Sequence, residues 1–265
     1  MTGIIIAGAA GRMGHALLRC MADSKNLRLV AALERADDPS IGRDAGTIAG
    51  LEKSDVIITD DFATAPQADV LIDFSSRSAT AENAKIAARR GIAMIVGTTG
   101  LDEKESAAIN KASRNIPIVW SPNMSLGVNV LFALVSRAAA TLGTRYDVEI
   151  TEIHHKHKKD APSGTALKLA EAVATARKQK LSDVAVYGRH GQTGERPDGQ
   201  IAVHAIRMGD VVGDHTVCLA TDGERLELTH RATSRDAFAA GALRAAMWIK
   251  GKEPGLYSMK DVLGL

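Results

Sequence analysis

The sequence predicts an α/β protein, a doubly wound parallel-sheet domain followed by a separate α+β domain. Three observations carry this. Through the first half of the chain, short apolar runs rich in β-branched residues alternate with helix-like stretches. That is the pattern of parallel strands covered on both faces. A glycine-rich turn opens at Gly8, directly after the first such run. From about Ser125 the pattern changes to one long apolar helix and then mostly strands.

Taken in order, residues 3–7 form a buried strand built on Ile4-Ile5-Ile6, and 12–21 a helix. Residues 27–33 are a second strand, 56–59 a short third and 69–73 a fourth, which leads to a helix over 79–89. Strands at 93–96 and 116–120 bracket a helix at 103–113. The long helix 126–142 is stopped by Gly143 at its C′ position. Strands follow at 147–153, 184–187, 201–208, 216–221 and 225–230, with a helix starting near Thr165. Asp222-Gly223 is a hairpin signal, since both residues tolerate positive φ. Residues 189–200, RHGQTGERPDGQ, read as a mobile loop. Residues 236–250 are helical and return to the first domain; the Pro- and Gly-containing stretch 251–255 ends that helix. The domains are therefore 1–126 with 236–265, and 127–235.

Composition narrows the function. Of 265 residues, 45% are apolar and 24% charged, enough apolar surface for a sizeable core and ordinary for a globular chain. Lys and Arg total 33 against 31 Asp and Glu, a net charge of +2 that gives no reason to expect nucleic acid or an anionic membrane. Two Trp, three Tyr and four Phe are too few for a base-stacking platform. Cys20 and Cys218 belong to no CxxC pair and lie beside no His cluster, so they read as buried thiols in a reducing compartment. There is no basic leader and no apolar run of about 18 residues, and the expectation is a cytoplasmic protein.

The glycine turn is Gly8-Ala9-Ala10-Gly11-Arg12-Met13-Gly14, spaced GxxGxxG. A tight strand-to-helix turn of this kind lets backbone approach a pyrophosphate at a helix N-terminus, although the same residues also suit a tight turn with no ligand. The second strand ends in Leu33-Glu34-Arg35. An acid about 20 residues after the loop can accept from a ribose 2′-hydroxyl, and an adjacent Arg can pair with a 2′-phosphate. Glu34 favours NADH and Arg35 favours NADPH, so tolerance of both is expected, beside the plainer reading of a solvated pair. Gly97-Thr98-Thr99-Gly100 and Ser121-Pro122-Asn123-Met124-Ser125 follow strands at their carboxyl ends, where ligands bind in open α/β sheets, but these residue types also cap helices.

The densest chemistry lies in Glu152-Ile153-His154-His155-Lys156-His157-Lys158-Lys159-Asp160-Ala161-Pro162-Ser163-Gly164-Thr165. Three of the eight histidines and three lysines fall within six residues. Such crowding self-repels unless anions are near. Ser163 is a candidate N-cap for the helix that follows. Basic side chains and helix N–H groups converging here suit a small dicarboxylate. A solvated charge run, or a metal site completed from elsewhere, uses the same residues. In the proton-transfer reading, His or Lys acts as general acid.

EIHHKHKKDAPSGTA resembles the signature of the dihydrodipicolinate reductase (4-hydroxy-tetrahydrodipicolinate reductase) family of the diaminopimelate route to lysine. The resemblance extends to GAAGRMG, LER, VGTTG, SPNMSLGVN, TGER and GDHTV followed by GERLELTHRA, nearly the whole chain. It implies a nicotinamide-binding domain and a mixed-sheet substrate-binding and oligomerisation domain, in a homotetramer. It implies NADH or NADPH as cofactor, a cyclic dicarboxylate as substrate, and no metal. Carried over by position, Gly8, Ala9, Ala10, Gly11, Arg12 and Met13 hold the pyrophosphate and Glu34 and Arg35 the adenosine ribose. Gly97, Thr98 and Thr99, with Ser121, Pro122, Asn123 and Met124, line the nicotinamide side. His154 and Lys158 are catalytic, and His155, Gly164 and Thr165 bind substrate. The implied reaction sends a hydride to a conjugated ring carbon of a cyclic imine, followed by a proton. Two rivals share the first half of the chain: a nicotinamide-sensing regulator, which has no evident need of the His-Lys loop, and a semialdehyde dehydrogenase, which needs a nucleophilic Cys in the ligand-edge loops.

Overall fold

The computed structural model describes every residue except Asp23. The chain divides into two compact units, Met1–Leu126 with Arg235–Leu265, and Gly127–Ser234. Arg235 goes with the first unit because it is the N-cap residue of the last long helix.

In the first unit the elements are β1 (Thr2–Ala7), α1 (Arg12–Ala22), β2 (Leu27–Leu33), α2 (Ala45–Ile48), β3 (Ile58–Thr59), β4 (Val70–Asp73), α3 (Arg77–Arg90), β5 (Ala93–Val96), α4 (Glu103–Ala112) and β6 (Pro117–Trp120). Among the described residues these strands and a C-terminal one form a seven-stranded sheet, with β3, β2, β1, β4, β5 and β6 side by side in that order. Every pairing in it is parallel. This is the order of a doubly wound dinucleotide fold, which reverses direction between β1 and β4. Ile4 and Ile6 face one apolar cluster and Ile5 the other, and all three are fully buried. Each such side chain contributes about 1.5–3 kcal/mol by leaving water. That explains an unbroken isoleucine run where a one-sided sheet would show alternation.

The second unit starts on α5 (Leu126–Leu142) and continues through β7 (Asp147–His154), α6 (Gly164–Ala176), α7 (Leu181–Val184), β8 (Ala185–Tyr187), β9 (Ile201–Arg207), β10 (Gly213–Thr221) and β11 (Glu224–Ala232). The five strands lie in the order β11-β10-β7-β9-β8 among the described residues. β10 is antiparallel to β11 and β7, while β9 is parallel to β7 and β8, so the sheet is mixed. Alternation decides its buried face: Val148 and Ile150 of β7 and Val217 and Leu219 of β10 pack with Leu169 and Val173 of α6 and Leu131 and Val135 of α5. The chain then forms α8 (Asp236–Ile249), β12 (Gly255–Tyr257) and α9 (Met259–Leu263) in the first unit.

Several elements differ from the sequence reading. The stretch after α8 does more than end a helix, because Gly255–Tyr257 adds to the sheet parallel to β6. A three-residue strand has no periodicity of its own to read; its partner β6 defines it. Strand β3 shrinks to Ile58–Thr59, with Ile57 making only an isolated bridge to Asp44. At the hairpin Thr221 pairs with Glu224, and Gly223 alone takes positive φ, at +87°. The loop 189–200 is irregular but tethered: Arg189 and Arg196 both pair with Glu149, and Arg196 with Asp147. Cys20 and Cys218 are half-buried, not buried. Leu126–Arg145 makes a 20-residue helical stretch of mean hydropathy 1.5, long and apolar enough to cross a membrane by length and composition. Asn129 and Arg137 interrupt it as a run of sequence, and its Val128, Leu131, Phe132, Val135 and Ala139 face the core of the second unit.

Candidate active site

In the first unit the glycine turn joins β1 to α1. Gly8 takes φ +80°, and a Cβ there would lie 2.6 Å from the Phe74 carbonyl oxygen. A Cβ on Gly14 would meet the carbonyl oxygens of Gly8 and Ala9 at 2.3 Å. The first position needs left-handed backbone, and the second lets α1 sit directly on the turn. The amides of Gly8 and Ala9 bond the Leu33 carbonyl, and that of Gly11 bonds Gly8. The N–H groups of Arg12 and Met13, in the first turn of α1, have no carbonyl four residues back inside the helix.

Glu34 does something beyond the sequence reading: one carboxylate oxygen accepts from the Ala10 amide at 3.1 Å, tying the end of β2 to the glycine turn. The exposed Arg35 guanidinium approaches Asp37 at 3.3 Å and Asp38 at 3.8 Å. Thr98, after β5, is buried and shares Asp73 with Ser75 and Thr80. Asn83 donates to the other Asp73 oxygen. After β6, Ser121 donates to the Asn123 carbonyl, and Asn123 accepts from the Ser125 amide. Met124 is buried, and Gly241 of α8 lies so close that a Cβ there would be 1.8 Å from the Met124 oxygen.

A cavity of about 520 Å³ opens at the carboxyl edge of this sheet, lined by Gly11, Arg12, Met13, Arg77, Thr98 and Arg235 among others. The structure thus brings the glycine turn and the Gly97–Thr99 loop to one hollow. Glu34, Arg35 and the Ser121–Met124 loop are not among its lining residues. Sequence reasoning missed Arg77, Arg235 and the buried Asp73. Burial, together with the Arg12 charge, lowers the pKa of Arg235, as expected where guanidinium groups gather. A glycine cradle, a helix N-terminus and converging arginines fit a dinucleotide pyrophosphate.

In the second unit His154 ends β7. Val148, Ile150, Glu152 and His154 share one face by the two-residue period. Glu152 is completely buried. Its Oε1 accepts from Arg207 Nη2 at 2.8 Å and from the Ser163 amide at 2.9 Å. Its Oε2 accepts from Arg207 Nη1 at 2.8 Å and meets His154 Nδ1 at 2.5 Å. Burial opposes the charge, but the Arg207 fork, the imidazole and the Ser163 amide outweigh it and hold the carboxyl below its usual range.

Ser163 is the N-cap of α6, its hydroxyl accepting from the Ala166 amide, as its sequence context predicts. Gly164 and Thr165 occupy the first turn. The same hydroxyl lies 3.1 Å from Nε2 of His215. His215 is buried, and its ring packs edge-on to His154 with centroids 5.1 Å apart. Burial, aided by the neighbouring His154, pushes the His215 pKa from the usual 6.5 down to about 3.

Lys158 folds back on Asp160, its ammonium 3.0 and 2.9 Å from the two carboxylate oxygens. The Lys156 amide donates to Gly209, and Met208 donates to the His154 carbonyl, so the His-Lys loop is laced to the end of β9. The His155 and His157 rings lie 6.2 Å apart. Two anions of the motif itself, Glu152 and Asp160, thus pair with His154 and Lys158 of the cation cluster. Arg207 and His215 were missed. No local pattern marks Arg207, whereas Glu152 and His215, polar residues at core positions of alternating strands, were detectable.

The sequence model described as "Dihydrodipicolinate reductase, N-terminus" matches residues 2–124, and that described as "Dihydrodipicolinate reductase, C-terminus" matches residues 127–263. The 4-hydroxy-tetrahydrodipicolinate reductase of Anaeromyxobacter dehalogenans (strain 2CP-C) is 52% identical over 266 aligned residues, covering 100% of this chain and 98% of the relative. That of Hahella chejuensis (strain KCTC 2396) is 49% identical, with 100% of both chains covered. The dipicolinate-bound dihydrodipicolinate reductase from Paenisporosarcina sp. TG-14 has the same fold, at TM-score 0.77 and 22% identity over 97% of each chain. The chain belongs to the dihydrodipicolinate reductase family, and it is an oxidoreductase that reduces 4-hydroxy-tetrahydrodipicolinate to tetrahydrodipicolinate with NADH or NADPH, on the diaminopimelate route of lysine biosynthesis.

Proposed function

We propose that the first unit holds the dinucleotide and that the His154–Thr165 segment of the second unit binds the cyclic dicarboxylate and handles its protons. The observation that carries this is the shared carboxylate of Glu152, which bonds both His154 Nδ1 and the Ser163 amide at the start of α6. A titratable ring and an anion-favouring helix N-terminus are thereby held at one short side chain.

Gly8 to Met13 would hold the pyrophosphate, with Arg77 and Arg235 adding charge around the same hollow. Glu34 and Arg35 would face the adenosine ribose, and Gly97, Thr98, Thr99 and Ser121 to Met124 the nicotinamide side. When bound, the reduced nicotinamide supplies the hydride. Everything else falls to the residues of this chain. The N–H groups of Gly164 and Thr165 bind one substrate carboxylate, and His155 and Lys158 contribute to holding the dianion. His154, whose Nδ1 is engaged by Glu152, offers Nε2 for proton transfer. The Lys158 ammonium, poised on Asp160, is the second proton source.

The five-stranded sheet leaves Tyr187, Ile206 and Leu226 exposed, which supports assembly of the second unit into a homotetramer. The same reading places the enzyme in the cytoplasm, in keeping with a biosynthetic family.

Inhibition tests this reading. Turnover is followed as loss of reduced-cofactor absorbance on freshly made aspartate-semialdehyde–pyruvate condensation product. Pyridine-2,6-dicarboxylate is expected to compete with substrate and to bind more tightly than the monocarboxylate, the gap narrowing with added salt. Equal inhibition by the two acids would contradict a two-carboxylate site.

A further inference from the structure

Glu152 has a role that neither the cofactor chemistry nor the substrate contacts assign. The face of β7 that carries it is otherwise core, with Val148 and Ile150 fully buried beneath. A charge is costly there unless its oxygens are satisfied. They are satisfied two by two. Oε1 takes Arg207 Nη2 and the Ser163 amide, and Oε2 takes Arg207 Nη1 and His154 Nδ1. Arg207 comes from β9, opposite His154 in the parallel register. Its Nη2 also reaches the Asp160 carbonyl, so the fork spans the base of the His-Lys loop as well.

We propose that Glu152 is a positioning residue for the reduction, one buried carboxylate that sets the tautomer and ring plane of His154 and, through the Ser163 amide, the placement of the α6 N-terminus. This rests on the reading of His154 as a proton-handling group. A carboxylate accepts but cannot donate, so a neutral imidazole beside it carries its proton on Nδ1. Nε2 is then the nitrogen that exchanges the proton: the imidazolium gives up its Nε2 proton to the substrate and reverts to this neutral tautomer, with Nδ1–H kept on Glu152. The edge of His215 restrains the ring from β10, and Arg207 fixes the carboxylate that fixes the ring. Orientation and substrate-anion binding are therefore coupled: a change at Glu152 reaches both, while the dinucleotide residues lie in the other unit.

Two measurements on the full-length enzyme test this. The first is read on the unsubstituted enzyme, with a variant used only for assignment. Nitrogen-15 spectra of the histidines, with His154 assigned by its loss in His154→Ala, are recorded at a pH where the ring is neutral. Protonated Nδ1 and unprotonated Nε2 are expected, and the opposite tautomer would overturn the proposal. The second is a double-mutant cycle in kcat. Glu152→Gln is expected to lower kcat about 10–100-fold, the scale on which a partner that orients a histidine acts. It is also expected to raise the dissociation constant for pyridine-2,6-dicarboxylate and leave that for NADH unchanged. In the His154→Ala background the same change should cost less than about threefold in kcat, since the route through His154 is gone and the route through α6 is read in dicarboxylate binding. An equal cost in both backgrounds would make Glu152 merely structural. The two readings fail differently. His154→Ala with wild-type kcat removes the proton-handling role. An impaired His154→Ala beside a Glu152→Gln of wild-type kcat and wild-type nitrogen spectrum removes the positioning role alone.

Discussion

A β-carbon on Gly213, the first residue of β10, would stand 3.0 Å from Nε2 of His154 and 3.4 Å from its Cδ2. Glycine here keeps space beside the ring nitrogen that Glu152 leaves available. The Gly213 backbone is not left-handed, so alanine is accommodated by the chain itself, and the strain falls on the imidazole. Gly213→Ala is expected to lower kcat about 10-fold or more, because displacements below 1 Å at a reacting group are costly. NADH affinity should not change. Wild-type turnover in this variant would mean that Nε2 of His154 needs no clearance.

Gly164 is the opposite case. A Cβ there meets no protein atom within 4 Å, and α6 tolerates a side chain at its first position. Gly164→Val should therefore melt like wild type while binding pyridine-2,6-dicarboxylate more weakly, since the added methyls stand where a carboxylate approaches the helix amides. Calorimetric titration of the variant checks it. Unaltered dicarboxylate affinity would remove the α6 N-terminus from the substrate site.

The Glu34–Arg35 pair offers a test by cofactor. Arg35→Ala is expected to weaken NADPH more than NADH, because NADPH alone carries the 2′-phosphate that a guanidinium pairs with. Glu34→Gln should weaken NADH more, and its loss of charge at the Ala10 amide should loosen the glycine turn as well. Fluorescence titration of both cofactors against both variants reads this out. Equal losses for the two cofactors in each variant would separate this pair from the ribose.

Acid stability reports on His215. Its folded pKa, about 3, lies below the usual 6.5, so the unfolded chain binds its proton first as pH falls. The stability gained by keeping it neutral is complete above pH 6.5 and drains away toward pH 3, at up to about 1.4 kcal/mol per pH unit. Glu152, whose pKa is also lowered, contributes above the ordinary carboxylate range and loses that contribution only at lower pH. Between about pH 5 and 6.5 the slope is thus set by histidines, His215 together with His230, whose pKa burial also lowers, and a variant isolates His215. His215→Gln keeps a group able to reach Ser163 but cannot titrate, so its denaturant-unfolding stability should fall less steeply with acid over that window. Parallel pH slopes for variant and wild type would be the contrary result.

What could be read from the sequence was what local backbone demands. Gly8 and Gly14 stand where a Cβ would strike a carbonyl, Ser163 caps the helix it precedes, and Ile4-Ile5-Ile6 is buried on both sides. Each is a constraint within a few residues, and residue type reveals it. What escaped depends on strands meeting. Arg207 reaches Glu152 from 55 positions away, and His215 reaches Ser163 from 52. β12 exists because β6 is beside it. The three-arginine hollow in the first unit likewise gathers Arg12, Arg77 and Arg235 from the starts of three separate helices. Glu152 lay between these cases. Its place in the alternation Val148, Ile150, Glu152 marks a buried carboxylate, and its partners could be named only from the fold.

The most direct test of the catalytic loop is steady-state kinetics of His154→Ala and Lys158→Ala with both substrates saturating, alongside NADH binding to each. The expected result is a kcat lower by ~10²–10⁴-fold in each variant, the range for a positioned acid or base, with NADH affinity held. Turnover at the wild-type rate in both variants would contradict it.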